Sequence, residues 1–166
     1  MMTPPLTAIL RQSDGRYLTA EERDQVLAFA HDLPARVQAG QEVESHEADV
    51  IAAAVAELRE KYPRFERLFP SAWDRLAGDL RLVLRADVRA MIAGDVRVLE
   101  DKALFYLRSI LAAYNVTPQF ARDAFTALRD RCRDRVGPEA FARLEPLLER
   151  NVQVVADFPE PAVAMV

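Results

Sequence analysis

Ser71-Ala72-Trp73-Asp74-Arg75-Leu76-Ala77-Gly78-Asp79-Leu80-Arg81-Leu82-Val83-Leu84-Arg85-Ala86-Asp87-Val88-Arg89-Ala90-Met91-Ile92-Ala93-Gly94 is the stretch that decides the fold class. Trp73, Leu76, Leu80, Leu84, Val88 and Met91 recur at three- and four-residue steps, the spacing of one face of an α-helix. Ser71 stands where an N-cap belongs, and Gly94 where a left-handed residue ends a helix. The spacing predicts one helix over residues 72–93. Outward from it the same period holds nearly everywhere, and no segment alternates as a strand does.

Towards the C-terminus, Leu99, Ala103, Leu107, Ile110 and Tyr114 predict a helix over residues 98–114, stopped by Asn115. Thr117-Pro118 is a cap followed by proline at the first helical position, opening a helix that runs to Gly137. Pro138 opens the last helix, which Pro146 bends. Towards the N-terminus, Ser45 caps a helix bearing Val50, Ile51, Val55 and Leu58, and Pro34 starts or kinks another that reaches Gly40. Thr19 and Glu22 form a capping box. A short helix over residues 5–12 stops at Ser13-Asp14-Gly15. The expectation is an all-α chain of about eight helices. Residues 1–158 make one domain, with a helical hairpin over 1–32 and a body of crossed helices over 33–158; residues 159–166 are a tail.

Composition narrows the function. The chain has 166 residues, net charge −4, 51% hydrophobic and 29% charged residues, which is a globular balance. One cysteine, Cys132, excludes an internal disulfide framework and a thiolate metal cluster. His31 and His46 leave little for metal ligation, so no metal site is expected, and no histidine follows His46 to serve as a haem ligand. The mild acidity argues against nucleic acid. The longest apolar run, residues 50–56, falls far short of the roughly 20 residues of a membrane span. Met1-Met2-Thr3-Pro4-Pro5-Leu6 lacks the basic and apolar regions of a secretory signal, so a cytoplasmic, reducing location is expected.

No catalytic residue stands out, and the chain does not read as an enzyme. Glu21-Glu22 and Glu100-Asp101 fall in first helical turns, where acids complement the dipole. His46 reads as solvent-facing at a helix start, and His31 as a charge near a helix end. Arg129-Asp130-Arg131-Cys132-Arg133-Asp134-Arg135 reads as a self-paired solvated face, with a phosphate or partner site as the alternative. Cys132 is in register with Phe125 and Leu128, which leaves a buried inert thiol and a reactive one both open. On the 72–93 helix, Arg75 and Asp79 are four apart, as are Arg81 and Arg85. They are either surface charges or a polar strip beside an apolar groove, suited to an amphipathic ligand with carboxylate tails.

Ala93-Gly94-Asp95-Val96-Arg97-Val98-Leu99-Glu100-Asp101-Lys102, then Leu107-Arg108 and Thr117-Pro118, resembles the allophycocyanin and phycocyanin subunit family, the phycobiliproteins. Ser13-Asp14-Gly15-Arg16-Tyr17-Leu18-Thr19 resembles the turn between that family's first two helices. The similarity runs in order from about Leu6 to Asp157. The resemblance implies a globin-like fold without haem: a six-helix body plus an N-terminal two-helix hairpin that packs on a partner subunit. It pairs an aspartate of the hairpin turn, here Asp14, with an arginine of the long helix, here Arg85, beside Tyr17 and Leu18. The hairpin alone is expected to expose Leu6, Ile9 and Leu10.

The family's pigment signature, Cys-x-Arg-Asp, is Leu76-Ala77-Gly78-Asp79 here. Leucine cannot form the thioether that tethers an open-chain tetrapyrrole (bilin). Gly78 replaces the arginine that meets a propionate, and Leu82-Val83 replaces an aromatic pair. The loop over residues 64–71 is shorter than the family's. Two expectations follow. One is a dimerising assembly subunit without covalent pigment, tied to light harvesting or bilin metabolism, whose partner is itself or a related subunit, in a homo- or heterodimer or a larger ring. The other is a carrier that binds a bilin non-covalently, with Asp79 on the pyrroles and Arg75 or Arg81 on the propionates.

Overall fold

Helix α2 (Ala20–Lys61) is a single helix of 42 residues. The capping box forms as expected: the Glu22 amide donates to Thr19 Oγ1 at 3.2 Å and the Thr19 amide donates to Glu22 Oε2 at 2.8 Å. Three expected boundaries, Pro34, Gly40 and Ser45, lie inside the helix. Gly40 is buried against the neighbouring helix, where a Cβ would stand 3.0 Å from Val88 Cγ1, so here glycine serves close packing rather than a stop. Ser45 Oγ donates to the Glu42 carbonyl at 2.7 Å, a bond along the helix instead of a cap. Tertiary packing overrides these local signals. His31 and His46 consequently sit mid-helix, and α2 continues from the hairpin into the body.

The computed structural model describes residues 6–67, 70–99 and 104–162. Before α2 comes α1 (Leu6–Gln12), and after it a turn of 3₁₀ helix (Phe65–Arg67). Then follow α3 (Ala72–Ala93), the single turn α4 (Arg97–Leu99), α5 (Phe105–Ala113), α6 (Pro118–Arg135) and α7 (Pro138–Val155). The helix expected over 98–114 corresponds to α4 and α5. Glu100, Asp101, Lys102 and Ala103 between them lie outside the described residues, as do Leu68 and Phe69, residues 1–5 and residues 163–166 of the tail.

The expected stops hold where the backbone demands them. Gly94 and Asn115 are left-handed, at φ 64° and 54°. Thr117 Oγ1 accepts from the Phe120 amide at 3.2 Å, ahead of Pro118. Ser71 is the exception: it is itself left-handed, at φ 61°, and its side chain makes no cap bond.

The described residues contain helices and no strand. α2 packs against α3, α6 and α7, and α7 also packs against α3, α5 and α6. Leu58, Leu80, Leu84, Phe120, Leu128, Leu144 and Leu148 are fully buried between them. Phe120 stacks on Phe65 at 4.5 Å, and Phe65 meets Trp73 at 4.7 Å. Each such side chain contributes about 1.5–3 kcal/mol by leaving water. Cys132 lies in this core, fully buried, with its thiol pushed up to about 12 by burial, which disfavours the reactive thiolate. Asp130 pairs with Arg129 and Arg133, and Arg131 pairs with Asp134 and with Glu57. The charge run is therefore largely self-paired. No helix among the described residues is long and apolar enough to cross a membrane.

Candidate functional site

A groove of about 530 Å³ lies where α2 crosses α3. Gly40 lets the helices approach, and Val37, Val43, Leu84, Val88 and Ile92 line it with apolar surface. Charges gather on one rim. Glu47 on α2 receives Arg85 Nε at 2.7 Å and Nη2 at 2.8 Å, and Arg81 Nε lies 3.4 Å away. The carboxylate raises the Arg85 pKa by a charge-assisted hydrogen bond and by direct attraction. Arg89 and Glu44 complete the rim.

The hairpin turn is held in a fixed shape and carries exposed groups. Arg16 donates to both oxygens of Glu22, at 2.7 and 2.6 Å, and together with the Thr19 amide pulls that carboxyl down to about 2. Gly15 supplies the left-handed residue the turn requires, at φ 78°. Tyr17 is 97% exposed, Leu27 61% and Leu10 53%. Leu18 is half-buried. Asp14 is exposed and makes no ion pair among the described residues. The chain thus does not join Asp14 to Arg85; Glu47 holds the arginine. Of the three apolar residues expected on the surface of α1, Leu10 is exposed, Leu6 is half-buried and Ile9 is buried at 2%. The cause is that α1 lies against its own body: Thr7 Oγ1 bonds Asp95 Oδ2 at 3.4 Å and Arg97 Nη2 at 3.3 Å.

Asp79 lies on the other side of α3. Burial raises its pKa, and Arg75 one turn earlier partly offsets the rise. Arg81 turns away to Glu47, so Asp79 and Arg75 share a place that Arg81 does not. Asp79 borders a cavity of about 10 Å³ walled by Leu76, Leu80, Leu107, Leu111 and Phe120. That volume is about one water, whereas a ligand of drug size or larger needs some 300–1,000 Å³. Leu76, which the family resemblance sets against the tethering cysteine, is 6% exposed and belongs to the core. These residues, as they stand, do not fit a tetrapyrrole.

One polar pair escaped the sequence reading. Asp87 and Asn151 are both fully buried, and Asn151 Nδ2 donates to Asp87 Oδ2 at 2.7 Å. The signal was present: Asp87 continues the steps of Leu80, Leu84 and Met91, and Asn151 those of Leu144, Leu148 and Val155. Glu47 was likewise missed, since nothing in its neighbourhood marks it as the partner of an arginine 38 residues away.

Residues 10–155 match the model of a family described as phycobilisome protein. The R-phycocyanin beta subunit of a Synechococcus strain is 29% identical over 119 residues, 68% of this chain and 69% of that protein. The allophycocyanin beta chain of a second Synechococcus strain is 27% identical over 146 residues, covering 84% of this chain and 90% of the relative. The allophycocyanin subunit beta-18 of a Synechocystis strain is 28% identical over 114 residues, 64% of this chain and 68% of its own.

Proposed function

Because the chain belongs to the phycobilisome protein family, we propose that it is an assembly subunit without covalent pigment, working through association rather than catalysis. Membership supports a role tied to light harvesting. The observation that carries the finer reading is complementarity between two parts of one surface. The hairpin offers Tyr17, Leu10 and an unpaired Asp14 carboxylate; the groove offers an apolar floor and the Arg85 cation. Each copy carries both halves, so two copies can exchange hairpins about a two-fold axis, and a related chain can supply the second hairpin instead.

Glu47 does not block this exchange. When Arg85 turns to a partner's Asp14, Arg81 remains beside Glu47 and keeps its charge compensated. The docked pair loses water, and a charge-assisted bond in that setting fixes register.

Sedimentation of the purified chain tests the reading. The wild type is expected to be a dimer at micromolar concentration. Asp14→Ala and Arg85→Ala are each expected to weaken association about tenfold or more, and a mixture of Asp14→Arg with Arg85→Asp to recover part of it. A wild type that stays monomeric, alone and with candidate subunits, sinks the proposal.

The second reading, reversible bilin binding, draws on Asp79, a half-buried carboxyl facing the family's pigment side. It requires α5 to move outward, because Leu107 and Leu111 wall the small cavity. Co-expression with a bilin-producing pathway decides it: a sharpened visible band lost in Asp79→Ala supports binding, and a colourless protein rules it out.

A further inference from the structure

Helices α3 and α7 bury a carboxyl and an amide against each other. Asp87 Oδ2 takes the Asn151 amide hydrogen, but Asp87 Oδ1 and Asn151 Oδ1 meet no protein donor, and both are buried. Two orphaned acceptors within one bonded pair are costly, because each has left water without gaining a bond. One hydrogen placed between them satisfies both. A carboxylic acid and a primary amide joined edge to edge share two hydrogen bonds in a ring. Turning the amide over does not remove the need: its oxygen would then stand 2.7 Å from Oδ2, a contact that also calls for a proton.

We infer that Asp87 and Asn151 form a proton-binding site in the core, where the folded chain holds Asp87 as a neutral acid donating to the Asn151 amide oxygen. Among the described residues, Asn151 is the group that favours its charged form, and no cation is paired with it. The buried residues of α2 are all apolar, the 3₁₀ turn contributes Phe65, and α4 contributes Leu99. From α6 the nearby titratable group is Cys132, whose thiol is itself raised by burial. From α7 comes Asn151. Burial moves Asp87 well above the ordinary carboxyl range, and the single Asn151 bond offsets this only in part.

The consequence is a fold that tolerates acid and weakens with alkali. Asp87 keeps its proton when folded and releases it on unfolding. Its stabilising contribution is complete below the unfolded pKa of about 3.9. Above that value the folding constant falls about tenfold per pH unit, until the folded pKa is passed.

Denaturant unfolding of the whole chain from about pH 5 to about pH 8, for wild type and Asp87→Asn, reads this directly. The ratio of folding constants, wild type over variant, is expected to fall steadily with pH, and the variant to be the more stable at the upper end. Infrared spectra of the folded wild type with isotope-labelled aspartate are expected to show one carbonyl band of a protonated acid. The spectrum needs no variant, so it decides the matter if Asp87→Asn does not fold. A ratio independent of pH, or aspartate bands of carboxylate alone, overturns the inference and leaves Asp87 charged beside a trapped water.

Discussion

Two concave places flank α3, and they have opposite characters. Against α2 the wall is open, about 530 Å³, apolar at the floor and charged at one rim. Against α5 and α6 the space is about 10 Å³, and leucine and phenylalanine fill the rest. The family resemblance links a partner to the first place and a pigment to the second. In this chain the groove carries Arg85, the hairpin turn carries Asp14, and the side of α3 that bears Asp79 is packed core. Under the proposed function, the difference teaches that one helix can go without a ligand site on one face while holding a docking face on the other. The two faces share a backbone but few side chains.

Cutting Leu76 strains this contrast most. If the pigment side is core, Leu76→Ala costs about 2–5 kcal/mol, the range for emptying a buried leucine site. Denaturant unfolding of both proteins measures it. A cost under about 1 kcal/mol would make Leu76 the wall of an open cleft, and the contrast between the two sides would collapse. The same cut on the groove side, Val37→Ala, removes a 39%-exposed side chain. It is expected to change stability by less than about 1 kcal/mol.

What the sequence made legible is what neighbours within one helical turn decide. The Thr19–Glu22 capping box, the left-handed Gly94 and Asn115, and the Thr117-Pro118 start all depend on such short-range chemistry, and all stand in the structure. Pro34, Gly40 and Ser45 carry equally strong local signals, but the contacts of α2 with α3, α6 and α7 outweigh them. The family motif pointed to Asp14, Arg85 and Asp79. Residue patterns alone did not show that Glu47 would hold Arg85, that Ile9 would fold onto its own body, or that the space beside Asp79 would close. Each is a contact between residues distant in the chain. Asp87 and Asn151 fall between these cases. Each is visible as a polar residue on an apolar stripe, yet which partner each would find is settled only by the packing of α3 on α7.

A smaller effect separates docking from folding. Tyr17 is almost wholly exposed, so Tyr17→Ser is expected to leave stability within about 0.5 kcal/mol of wild type. The same change is expected to weaken self-association about tenfold, since an aromatic anchor entering a groove carries a large share of binding. Sedimentation beside unfolding reads both. Unchanged association would detach the hairpin tip from the interface and leave the groove without its proposed occupant.

The smallest effect lies at Gly78, between the two faces. A Cβ placed there meets nothing within 4 Å in the isolated chain. An open glycine inside a helix costs about 0.5–1 kcal/mol relative to alanine, so Gly78→Ala is expected to stabilise the chain by that amount. The measurement belongs in the Asp14→Ala background, where association contributes least, and then again in the wild type at a concentration where it is dimeric. An equal gain in both confines the interface to the groove and hairpin. A gain in the first that vanishes in the second means that a neighbouring subunit lies against Gly78. The docking face would then reach around α3 towards the side that bears Asp79.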